Sequence, residues 1–149
     1  MSIDRIDWHS GSETFSKDLP EKAGGIHIGF FIAWIINNDL ASEDLLKDSS
    51  ISISKIKNRN ITGLDFLINQ CDGKFWESDL NEKGQKFAGE YYLSGKYFGD
   101  FIDVLINDLP SPYHVENSWQ NYDLLVHKID KAYKKWNAKQ NKKWWQFWK

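Results

Sequence analysis

The run from Asp18 to Asn37 constrains the fold more than any other stretch of the chain. Asp18 followed by Glu21 has the pattern of a capping box, and Pro20 suits a first helical turn, where a missing N–H costs nothing. Beyond it, Ala23, His27, Phe30, Phe31 and Trp34 recur at steps of three and four, so they share one helix face. Ile26, Ala33 and Ile36 fill much of the remainder. A helix apolar nearly all round needs neighbours on more than one side, which predicts a central buried helix over Glu21–Asn37. Gly24, Gly25 and Gly29 each sacrifice roughly 1 kcal/mol of helix propensity. That loss is understandable if another segment lies close against the backbone there. His27 then carries polar atoms into the core.

The flanking sequence reads as further helices. Ser42 with Glu43 and Asp44 has the form of a cap and an acidic first turn. Residues 50–57 alternate like a strand, but they lack an evident pairing partner, and an isolated strand is unstable; helix is the preferred reading. Thr62 caps the next helix, with Asp65 in the capping-box position, and the stop falls at Cys71-Asp72-Gly73. Ser78-Asp79 is read as the start of a helix bearing Leu80, Gly84, Phe87, Ala88 and Tyr91, and Gly95 separates it from one bearing Tyr97, Phe98, Phe101, Ile102 and Leu105. Pro110 and Pro112 mark a boundary. From Ser118, the positions Trp119, Tyr122, Val126, Ile129, Tyr133 and Trp136 form a heptad-like seam, short enough to pack on its own domain. The expected fold is all-α: one domain of six to seven helices over residues 1–137, with little or no sheet. A basic tail over residues 138–149 carries Trp144, Trp145 and Trp148.

Bulk properties narrow the function. The chain has 149 residues, enough for one domain with a proper core. Its net charge of −2 supplies no bulk attraction for phosphate backbones, so no nucleic-acid partner is expected. A single cysteine, Cys71, excludes an intramolecular disulfide and a multi-cysteine zinc site. The polar start, from Met1 to Asp7, lacks the apolar segment of a signal peptide, and the expected location is cytoplasmic. Eight Trp, nine Phe and six Tyr make 15% of the chain aromatic, a composition suited to cores and interfaces alike.

His9 and His27, with Asp4 and Asp7, are the candidates for chemistry. Two imidazoles and one or two carboxylates form a usable ligand set for zinc or ferrous iron, although their spacing matches no compact metal signature. The residues expected to gather are Asp7, Trp8, His9 and His27, as a binding or structural cluster with no metal or cofactor assigned. Cys71 falls in the last turn of a helix, where the macrodipole disfavours a thiolate, so it reads as a structural thiol. The loop after Asp72 fails as a calcium site, because Lys74 and Trp76 stand where ligands are needed. Phosphate-loop, nucleophile-elbow, zincin and dinucleotide motifs are absent from the sequence, and no catalytic residue is assigned.

Several short motifs occur in order: Asp7-Trp8-His9, Leu19-Pro20, the segment His27 to Trp34, Thr62-Gly63, Phe66-Leu67, Cys71 to Phe75, Asp79 to Asn81, and Tyr91-Tyr92. In these the chain resembles a family of small soluble bacterial proteins, a domain of unknown function, over roughly residues 4–105. The resemblance implies no reaction. It is similar in size and setting to bacterial immunity proteins, which bind and block a cognate toxin.

The function expected from sequence is therefore protein binding, with a bacterial immunity role foremost and catalysis not favoured. Acidic segments around Glu77–Glu82 and Asp100–Asp108 suit a basic partner such as a nuclease-type toxin. Asp79, Glu82, Asp103 and the tail tryptophans Trp144, Trp145 and Trp148 are the contact candidates. Membrane contact through the tail is the less favoured use of those tryptophans. The alternative is a small-ligand or metal-binding pocket protein, or an enzyme, using Asp7, His9 and His27.

Overall fold

The computed structural model describes residues 1–147, with side chains up to residue 143. Its organising element is α2 (Ile26–Asn37), in which Ile26 through Ile36 are all buried. The Glu21–Gly25 turn ahead of it is 3-10 rather than α. Asp18 does not cap it. The residue ahead of that turn is Pro20, without a side-chain cap, while the Asp18 carboxylate turns to Ser16 and His114.

The glycines behave as close approaches. A β-carbon at Gly24 would lie 3.1 Å from His9 Cβ, and one at Gly25 would lie 2.6 Å from Ile6 Cγ1. Gly29 and Gly63 sit backbone against backbone where α2 crosses α5 (Gly63–Cys71), a crossing that any side chain would block. The expectation that another segment lies against these glycines is met.

Around α2 are packed α3 (Glu43–Asp48), α4 (Ser50–Lys57), α5, α6 (Glu82–Tyr91), α7 (Lys96–Leu105) and α8 (Trp119–Phe147). A short helix, α1 (Ile6–Ser10), lies at the N-terminus. Caps hold their expected places at Ser42, whose side chain accepts from the Leu45 amide at 3.1 Å, and at Thr62, which forms a reciprocal box with Asp65. The α5 stop uses Asp72 as well as Gly73, both at positive φ. Asn81, not Ser78, caps α6, accepting from the Gly84 amide at 2.8 Å; Ser78 and Asp79 lie in a 3-10 turn before it.

The fold is all-α, with eight helices among the described residues instead of six or seven. It also contains a two-stranded antiparallel sheet, β1 (Ser2–Arg5) on β2 (Lys74–Trp76). At four and three residues these strands are too short to carry a periodic signal. Helix α8 closes the molecule along its seam. Tyr122, Leu125, Ile129 and Trp136 are buried, Trp34 Nε1 donates to Asp130 Oδ1 at 2.8 Å, and Asn37 Nδ2 donates to Tyr122 Oη at 2.9 Å. The helix continues unbroken from residue 137 to Phe147. The side chains of Trp144 and Trp145, and all of Trp148, lie outside the described residues. Among the described residues, no helix is long and apolar enough to cross a membrane.

Candidate functional site

The site begins with an irregularity in β1. Ser2 pairs with Trp76 and Asp4 with the adjacent Phe75, so the register slips between Ser2 and Asp4. In a regular strand, neighbouring side chains face opposite ways; a bulge breaks that alternation and re-aims one of them. Ile3 and Asp4 are accordingly both buried, and Asp4 is the acidic residue delivered to the interior.

Four donors meet the Asp4 carboxylate. Oδ1 accepts from the Arg5 amide at 2.8 Å and from His9 Nε2 at 2.8 Å. Oδ2 accepts from His27 Nε2 at 3.1 Å and from the Tyr92 hydroxyl at 2.5 Å. A carboxylate offers about four lone-pair sites, so Asp4 is saturated. Burial alone would raise its proton affinity, but the hydrogen bonds from His27 and His9 outweigh that and hold the carboxyl well below the usual carboxylate range. Burial acts on His27 in the other direction. It lowers the proton affinity of the ring more than the Asp4 charge restores it, so His27 is a neutral imidazole.

The tautomers follow from the partners. A carboxylate only accepts, so both Nε2 atoms carry their hydrogens toward it. His9 Nδ1 then accepts from the Tyr113 hydroxyl, 2.6 Å away. Burial, reinforced by the Asp4 charge, keeps Tyr92 and Tyr113 as protonated phenols able to donate. The two imidazoles meet edge to face with ring centroids 4.5 Å apart, and Phe98 closes on His27 at 4.9 Å. Tyr97 on α7 donates to the His27 carbonyl at 2.5 Å, fixing the first turn of α2.

A cavity of about 260 Å³ opens beside this cluster, lined by Asp4, His9, His27 and Tyr92 together with Ile3, Trp8, Leu93 and Phe98. Trp8 is 54% exposed and Leu93 49%, which places them at its mouth. One ligand atom from each of Asp4, His9 and His27 lies within 4.8 Å of the others.

His9 and His27 come together as expected, and Trp8 lines the same cavity. Asp7 does not join them. Its carboxylate is exposed and bidentate to Arg5, at 2.9 and 2.7 Å. Two residues apart on a helix means roughly 200° of rotation, so Asp7 and His9 cannot face the same way. Asp4, ahead of the helix and turned inward by the bulge, occupies the position expected of Asp7. Tyr92 and Tyr113 carry no sequence signal for this role: they reach Asp4 and His9 across 88 and 104 residues.

The remaining candidates are spread over the molecule. Asp79 is largely built in; burial raises its proton affinity, and its carboxylate accepts from the Trp76 amide at 2.9 Å. Glu82 and Asp103 are exposed, in loose ion pairs with Lys86 at 3.3 Å and Lys128 at 3.4 Å. The Cys71 thiol is pushed up to about 12 by burial and then by Asp79, which suits a structural thiol and not a nucleophile.

The family model described as Domain of unknown function (DUF7832) matches residues 2–115. The chain belongs to that family. All five members of the hydrogen-bonded cluster, from Asp4 to Tyr113, fall inside the DUF7832 segment, and α8 lies beyond it. No curated protein and no solved structure matches the chain.

Proposed function

We propose that this DUF7832 chain is a metal-binding pocket protein whose centre is Asp4, His9 and His27, built for a first-row divalent ion of the zinc or ferrous kind. The observation that carries the reading is the convergence of two imidazole nitrogens and one carboxylate beside an open cavity. Two histidines and one carboxylate leave coordination positions for water or ligand, as open metal sites do.

The surroundings support it. Metal ligands need outer partners, and here Tyr113 holds His9 Nδ1 while Tyr92 and the Arg5 amide hold the carboxylate. His27 is neutral and needs no deprotonation beyond a change of tautomer. With Nε2 turned to an ion, the His9 proton would sit on Nδ1 and the Tyr113 hydroxyl would change from donor to acceptor, so the His9–Tyr113 hydrogen bond would be kept while the one from Nε2 to Asp4 would give way to the ion. Ligand atoms of a tetrahedral zinc at about 2.0–2.1 Å stand roughly 3.3 Å apart. The present separations, 2.8 Å from His9 to Oδ1 and 3.1 Å from His27 to Oδ2, with the three ligand atoms within 4.8 Å of one another, are of that order.

Titration of the chelator-treated protein with cobalt(II), read by its visible absorption, tests this directly. One ion per chain is expected, and it should be lost in the His9→Gln/His27→Gln double variant. Absorption no different from free cobalt(II) would overturn the reading.

A second reading is protein binding, foremost a bacterial immunity protein that masks a basic toxin. It is favoured by Trp8 and Leu93, large apolar side chains exposed at the cavity mouth, and by the exposed carboxylates of Glu82 and Asp103. Co-expression with neighbouring genes tests it: rescue from a toxic neighbour that fails on charge reversal at Glu82 and Asp103 is the supporting result.

A further inference from the structure

A groove of about 540 Å³ lies where α6, α7 and α8 meet, apart from the Asp4 cluster. Helix periodicity on α7 separates the two sites. Phe98 and Phe101 face His27, whereas Lys96, Gly99 and Asp100 project on the opposite side, along the groove.

The groove has the makings of a small-molecule site. Phe87, Tyr91 and Trp136 supply an aromatic lining, with Phe87 stacked on Tyr91 at 5.2 Å and tilted against Trp136 at 5.5 Å. The buried Trp136 Nε1–H finds no acceptor among the described residues, a state that an incoming oxygen would relieve. Lys96 comes from α7, and Lys135 and Lys139 stand one turn apart on α8. Among the described residues, none of these three lysines is within ion-pair distance of a carboxylate, unlike Lys74, Lys86 and Lys128. Two carboxylates share the groove, Glu90 and Asp100, the latter accepting from the Tyr91 hydroxyl at 2.6 Å, so the three ammonium groups exceed them by one charge. Volumes of about 300–1,000 Å³ with apolar walls and a few polar groups are those of ligand sites. Lysine stems extend the apolar wall while their heads remain in water.

We infer that this groove binds a small amphipathic anion, with an aromatic body and a carboxylate or sulfonate head. The body lies on Phe87, Tyr91 and Trp136, and the head meets Lys135 and Lys139, with Lys96 opposite.

Gly99 provides a clean test, because a β-carbon there would meet nothing within 4 Å. Gly99→Leu places a side chain in the groove without touching the core. The probe is 8-anilinonaphthalene-1-sulfonate, titrated by fluorescence into the full-length protein, with N-phenyl-1-naphthylamine as its uncharged counterpart. The expected result is saturable one-to-one binding of the sulfonate. It should weaken at least tenfold in Gly99→Leu and in Lys135→Glu/Lys139→Glu, with unchanged helical circular dichroism. The uncharged compound should bind more weakly and be indifferent to the lysine reversals. Absence of saturable binding, equal affinity for the two compounds, or sulfonate binding unaffected by either variant would overturn the proposal.

Discussion

At the scale of single residues, the Asp4 carboxylate ties β1 to α1, to α2 and to the end of α6, so each donor it loses weakens several contacts together. Replacing His27 by leucine keeps the apolar packing and removes one of two donors on Oδ2. A buried charged acceptor deprived of a partner costs about 2–3 kcal/mol, which for a chain of this length lowers the melting temperature by roughly 5–10 °C. The exposed His127 is the control, and its replacement by leucine should change stability by less than about 0.5 kcal/mol. Equal effects in thermal melts would contradict the network. Cys71 gives a pH-dependent counterpart. Its folded value is raised from 9.0 to about 12. The stabilisation it contributes is therefore complete below pH 9 and is lost as the pH climbs from 9 toward 12. At pH 8 the thiolate fraction, and with it the iodoacetamide rate, should be far lower in the folded chain than in urea. Alkylation at similar rates in both states would contradict the burial of the thiol.

At the scale of elements, the packing that positions the site depends on the approach of α2 to α5. Gly63→Ala forces a β-carbon into the Gly29 backbone, where no rotamer relieves it, and should cost about 3 kcal/mol or more. Gly89→Ala, in α6 with open space around it, should instead stabilise by about 0.5–1 kcal/mol. Chemical denaturation of the two variants checks both signs. The sequence made this crossing legible, because glycines within an otherwise apolar helix are hard to explain unless a backbone lies against them. The caps at Ser42 and Thr62 and the α8 seam were legible as well, since each is a local or periodic signal. The sheet was not. Two strands of four and three residues have no period to detect, and their pairing joins the two ends of a long intervening chain. For the same reason Asp7 looked as good a partner for the histidines as Asp4. The bulge that distinguishes them exists only once β1 lies on β2. Tyr92 and Tyr113 illustrate the same limit, as donors that arrive from remote segments.

At the scale of the whole molecule, the DUF7832 segment brings five polar side chains from distant parts of the chain into one cluster, four of them lining one cavity, and α8 completes the core around α2 while lining a groove with α6 and α7. The polar cluster is proposed to be a metal centre and not a closed hydrogen-bond network. Histidine-ring nitrogen NMR during a zinc titration tests it most directly, because the two cases require different tautomers. The metal-free chain should show His9 and His27 as Nε2–H tautomers. One equivalent of zinc should convert both to Nδ1–H with metal-shifted Nε2 signals, and His114 and His127 should not change. Rings at His9 and His27 that keep their Nε2–H signals through excess zinc would contradict the account.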